Sequence, residues 1–282
     1  MSNITLTASM RSNLSALKTI QGQMDKTQER LSTGRKVNSA IDNASSFYQS
    51  RALTNRASDL DSLLDGMGQG IQTIQAANEG IEAITAFVEQ MKSIAESAAA
   101  LDPNVDGYDT SLGDYAKQYQ EILDQIADVA ADASYQGVNL LTEGELTVTF
   151  NESRDNSIVV KGKDIVEDME FTAAATVAEG GAVTAAWGDA DDVTNAIEEI
   201  TAATAKLRSY ATELGNKVSI IETRQDFTEA MIDVLETGSD NLVLADMNEE
   251  SANYLALQTR QQLAVNSLSL ASQSAQSVLS LF

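Results

Sequence analysis

Apolar residues recur at alternating gaps of four and three along most of this chain. Met10, Leu14, Leu17, Gln21, Met24, Gln28 and Leu31 follow that alternation. The spacing predicts a helix with one coiled-coil stripe, weakened by its two glutamines. "STG" then stops the helix at Gly34, and Asn38, Ser39 and Asp42 offer caps for a restart near residue 43. Leu60, Leu64, Met67, Ile71 and Ile74 open the next series, and Ala77, Ile81, Ile84, Val88, Met91, Ala95 and Ala98 continue it. Two successive gaps of three meet at Ile74, a local phase slip. "GMGQG" at 66–70 lies inside this series, as flexible or closely packed helix. From Ala44 to Ala98 the helix spans about 55 residues, or about 80 Å.

Pro103, the only proline, and "DPNVDG" mark a reversal. Leu112, Tyr115, Tyr119, Ile122, Ile126, Val129 and Ala133 carry a third stripe towards Gly137. "ELTVTF" alternates as a strand does, and "SIVVKGK" reads as its mate. Residues 172–192 are rich in Ala, Gly, Thr and Asp and read as exposed loop or irregular β structure. Val193, Ile197, Ile200, Thr204, Leu207, Ala211, Leu214, Val218 and Ile221 return to the four-three pattern, with Asp191 or Asp192 as its cap. The pattern runs on to Gly238, where "TGSDN" predicts another break. Leu257, Gln261, Ala264, Leu268, Ala271, Ala275, Val278 and Phe282 form the last stripe.

The layout is symmetric about the middle. It predicts a mostly α chain of long antiparallel coiled-coil helices, formed by the N- and C-terminal halves, with a small β insert. Five segments follow: 1–35, a terminal helix; 36–139, a break and long helices; 140–190, the small insert; 191–238, a long helix; and 239–282, the closing helix. The end helices are short and their seam is rich in alanine and glutamine. An isolated pair buries too little to offset an ordering cost of about 1–2 kcal/mol per residue. Packing against other copies is therefore the expected source of their order. Two other arrangements use the same stripes, a monomeric helical bundle and a dimeric signalling coiled coil.

Composition narrows the function. The net charge of −24 makes nucleic acid an unsuitable partner, because neutralising phosphates takes clustered Lys and Arg. Residues 1–36 hold six basic side chains against two acidic, whereas 239–282 hold one against four. These charges read either as solvated helix faces or as opposite signs that help the ends pair. With no cysteine and no histidine there is no disulfide, thiol nucleophile, His-based triad or HExxH zinc motif. No catalytic, cofactor or metal site is expected. No apolar run approaches a membrane span, and no basic-then-apolar leader opens the sequence, so export without a cleaved signal peptide is the expectation.

Three stretches carry a resemblance. "LSTGRKVNSAIDNAS" (31–45), "IQTIQAANEGIEAI" (71–84) and "LALQTRQQLAVNSLSLASQSAQSVLSLF" (255–282) resemble bacterial flagellins, in the family's order. The likeness covers about residues 1–140 and 190–282 and leaves out the middle, where flagellins vary; it is the short type. It implies an extracellular filament subunit for swimming that polymerises with itself, without cofactor or membrane insertion. It also implies a filament cap, hook-junction proteins and a chaperone on the C-terminal helices as partners, with type III export. The self-assembly seam it implies is Met10, Leu14, Leu17, Met24 and Leu31 with Leu257, Ala264, Leu268, Ala271, Val278 and Phe282. For each, ordinary packing within the chain is the competing reading. Gly34, Asn38, Asp42 and Gly238 are the spoke and hinge candidates, and Thr172, Thr176 and Thr184 are either sugar carriers or plain solvated threonines. A hook–filament junction protein, or another coiled-coil secretion or adhesion protein, is the alternative function.

Overall fold

The computed structural model describes residues 8–171 and 187–279. Thr172, Thr176, Thr184 and Phe282 lie outside the described residues, as does the side chain of Val278. The elements follow in order: α1 (Ala8–Thr33), α2 (Ala44–Ala99), α3 (Tyr108–Asp132), β1 (Ser134–Tyr135), β2 (Val138–Asn139), β3 (Glu145–Thr149), β4 (Ser157–Lys161), α4 (Ile165–Asp168), α5 (Ala190–Val243) and α6 (Met247–Leu279). The chain divides into two units, Met1–Ala57 with Asp233–Phe282, and Ser58–Ile232.

In the second unit the stripes of α2, α3 and α5 converge on one core. Met67, Ile74, Ile84, Met91, Leu112, Ile126, Ile200 and Leu214 are all shut off from solvent. Ala77, Ala95, Ala130, Ala196 and Ala203 fill the same core, so the helices approach closely on small side chains. The third stripe ends earlier than its periodicity suggests. Beyond Asp132 the chain turns into a tight β1–β2 hairpin, with Gln136 and Gly137 both at positive φ. β3 and β4 pair antiparallel, Leu146 opposite Val160 and Val148 opposite Ile158, which puts Val148 and Val160 against the helices. Gly70 is the closely packed glycine of "GMGQG": a Cβ there would lie 2.5 Å from Val148 Cγ2, so the glycine lets the hairpin lie flat on α2. Tyr210 on α5 ties the insert down by donating its hydroxyl to Leu140 O at 2.6 Å. Tyr119, Phe171 and Trp187 form an aromatic cluster, with the Tyr119 and Trp187 rings 5.1 Å apart.

The cap of α5 is neither Asp191 nor Asp192. Asp189 Oδ1 accepts from the amides of both, at 3.0 and 3.1 Å, and Asp192 Oδ2 accepts from Gly188 N at 2.7 Å. In a run of aspartates the cap is the one whose oxygen reaches the first free amides.

A candidate assembly interface on the terminal helices

The first unit is built on α1 and α6, packed side by side and antiparallel. Arg30 meets Glu250, with Nη1 donating to Oε1 at 2.7 Å; Gln261 Nε2 donates to Gln21 Oε1 at 2.7 Å. Further along, Met10 and Leu14 line a shallow apolar groove of about 420 Å³ with Val265 and Leu268. The sequence forms these helices because both carry an unbroken stripe, and each stripe needs a neighbour.

Between the two strips of seam, Met24, Thr27 and Leu257 are buried, and so is Glu250. Met10, Leu17, Leu31, Ala264, Leu268 and Ala271 are half-buried, and Leu14 is exposed. The described seam residues of the two ends thus face one another within a single chain. A buried carboxylate held by a single guanidinium is a register lock, because sliding either helix would leave Glu250 without its cation.

The two breaks in helical pattern lie beside each other. Gly34 adopts φ 71°, which lets the chain leave α1. Lys36 N and Val37 N donate to Val243 O at 2.8 and 3.3 Å, and Ala245 N donates to Gly34 O at 3.0 Å. Arg35 and Leu244 thereby form an isolated antiparallel bridge. Asp42 closes the N-terminal break: its Oδ2 accepts from Asn38 N, Ser39 N and Ser39 Oγ at 3.1–3.3 Å. These donors, the Asn38 amide first, hold the Asp42 carboxyl below its ordinary value, with Lys26 at 3.7 Å adding to them. Asn43 caps α2 by accepting from Ser46 N, and Asp246 caps α6 by accepting from Asn248 N and Glu249 N.

Gly238 does not break its helix. α5 continues to Val243, and the turn comes at 244–246. A Cβ at Gly238 would lie 3.5 Å from Leu53 Cδ1, and the neighbouring Ser239 hydroxyl bonds Thr54 Oγ1 and Ser50 O. Packing of α5 against the start of α2 overrides the turn-like composition of "TGSDN".

α6 carries apolar residues away from its seam as well. Leu255, Leu263 and Leu270 are 62%, 61% and 67% exposed. At 3.6 residues per turn they cluster about 150° around the helix from the seam centred on Leu257, Ala264 and Leu268. Val265 is exposed too. The signal in the sequence is the seven- and eight-residue spacing of these leucines, masked by the more regular seam. α6 therefore has two apolar faces, of which α1 covers one. The outer face of α1, by contrast, is small and polar, with Ser12, Ser15, Thr19 and Gly22.

Among the described residues no group of acidic side chains is arranged to hold a metal ion, and no helix is long and apolar enough to cross a membrane.

Residues 3–145 match the model of the bacterial flagellin N-terminal helical region, and residues 197–282 that of the C-terminal helical region. The flagellin of Brucella melitensis is 30% identical over 286 residues, covering 98% of this chain and 99% of the relative. Flagellin FljK of Caulobacter vibrioides is 30% identical over 272 residues, covering 95% and 94%. Flagellin A of Rhizobium meliloti is 25% identical across the full length of both chains. That alignment runs over 405 residues against the 282 here, so the relative is the longer protein. The crystal structure of Bacillus cereus flagellin overlaps 57% of this chain and 86% of its own at 14% identity, with a TM-score of 0.45. The residues between the two matches, 146–196, hold all but the first residue of the β3–β4 hairpin, and α4. With both helical regions matched and relatives aligned almost end to end, the chain belongs to the bacterial flagellin family and is a structural subunit of the flagellar filament, not an enzyme.

Proposed function

We propose that the terminal unit is where copies of this subunit meet in the filament, through the outer face of α6. One observation carries the reading: Leu255, Leu263 and Leu270 are bare on the side of α6 that faces away from its partner α1. Fully covering a leucine contributes about 1.5–3 kcal/mol, so a face of this kind strongly favours a state in which other copies cover it. The α1–α6 seam, from Met10 to Leu31 and from Leu257 to Ala271, then holds the two terminal helices together, and the leucines beside it give the polymer its cohesion. Because each copy meets the next through unlike surfaces, growth continues as an open helix.

The break at 34–43, with Gly34, Asn38 and Asp42, is the spoke. Residues 36–139 and 191–238 supply the rod helices, and 140–190 face the medium. The family builds extracellular filaments by self-assembly. Cap and junction proteins, and an export chaperone on the C-terminal helices, are the further partners, with export independent of a cleaved signal.

The test is the double variant Leu263→Asp/Leu270→Asp. It is expected to stay monomeric and as helical as the parent by circular dichroism, and to give no filaments on seeding, because each new carboxylate would be buried without a partner. Filaments of normal length in electron micrographs, at the parent's critical concentration, would overturn the assignment. Leu268→Asp, on the seam itself, should lose helicity as well as polymer.

A further inference from the structure

The net charge is confined to one unit. Residues 58–232 hold nine basic and 33 acidic side chains, which accounts for the whole −24. The terminal unit holds nine of each and is neutral. Within it the signs separate by chain half. Residues 1–57 carry eight bases and three acids, and residues 233–282 carry one base and six acids.

Among the described residues, part of this opposition is left open inside the subunit. Arg30–Glu250 is an ion pair that joins the two halves, and Lys26–Asp42 lies within the first of them. Arg11, Lys18 and Arg51 on one half, and Asp233, Glu236 and Asp240 on the other, are exposed. Among the described residues none of the six makes a side-chain hydrogen bond or ion pair.

We infer that these two sets are mates across the subunit–subunit contact: the bases of one copy's 1–57 segment face the acids of the next copy's 233–282 segment. This rests on the terminal units meeting in the filament, and it names the charges that decide how they meet. Exposed pairs each contribute little. An array of them still discriminates. Unlike halves attract, while two N-terminal halves or two C-terminal halves repel, so the charges favour one polarity of stacking and oppose the others. The leucines of α6 supply cohesion without direction, because apolar contact is indifferent to orientation. The charge arrangement supplies the direction.

Two variants test this in purified protein. One carries Arg11→Glu, Lys18→Glu and Arg51→Glu; the other carries Asp233→Lys, Glu236→Lys and Asp240→Lys. Each alone is expected to raise the critical concentration for polymerisation by about fivefold or more, since attraction becomes repulsion. Mixed in equal amounts, they should polymerise close to the parent's concentration, each supplying the surface the other now needs. Mixing cannot repair a fault inside a subunit, so recovery is specific to contact between copies. The proposal is overturned if both variants polymerise as the parent does, or if the mixture recovers nothing. Should circular dichroism show that either variant has lost helix, a single chain carrying all six changes takes its place; it should polymerise, and its failure would count against the proposal. A parent that never polymerises would instead overturn the assembly reading above.

Discussion

Tyr119 and Tyr210 are almost completely buried, and burial pushes both phenols above their ordinary value, Tyr210 to about 12. The nearby Glu199 charge pushes Tyr119 the same way. The unfolded chain releases these protons near pH 10, whereas the folded chain retains them. The stability they contribute is therefore fully present below about pH 10 and is lost as pH rises from there towards the folded values. Urea midpoints measured from pH 8 to 12 should fall above about pH 10, and Tyr119→Phe should flatten that fall. The substitution should cost little stability at neutral pH, because among the described residues the Tyr119 hydroxyl has no hydrogen-bond partner to lose. An unchanged alkaline slope would show that Tyr119 is not the group responsible.

At the scale of the element, Gly34 and Gly238 look alike in the sequence and behave differently in the fold. Gly34 sits at φ 71°, where any side chain is strained; Gly238 is helical, with room for a methyl group beside Leu53. Gly34→Ala should lower stability by about 1 kcal/mol, and Gly238→Ala should raise it by up to about 1 kcal/mol. Thermal denaturation of both variants decides the matter; a loss at Gly238 would restore it as a hinge. The contrast shows what was legible. The stop at Gly34 could be read because the stripe itself ends there. The stripes of α2, α3 and α5 could be read because their cores are periodic, down to the alanines. The turn at 244–246 could not, because its cause is non-local: Val243 O is held by amides about 200 residues away. The outer leucines of α6 were hidden for a different reason. One helix can carry two apolar faces, and a periodic search reports the stronger. The β1–β2 hairpin is too short to leave an alternating signature.

For the molecule as a whole, the uneven charge has a consequence in each unit. Self-repulsion among 33 acids and nine bases opposes compaction of residues 58–232, whereas the neutral terminal unit has no such excess. Raising sodium chloride to about 1 M shortens the screening length to about 3 Å. Added salt should therefore stabilise residues 58–232 markedly. The aromatic cluster makes that unit separately observable. Trp187 is the chain's single tryptophan, shielded from solvent and tilted against the Tyr119 ring. Its fluorescence spectrum is a built-in gauge of one half of the architecture and is blind to the paired ends. Melting followed by emission and melting followed by peptide-bond ellipticity need not coincide, and the gap between the two curves would measure how independently the terminal helices come apart.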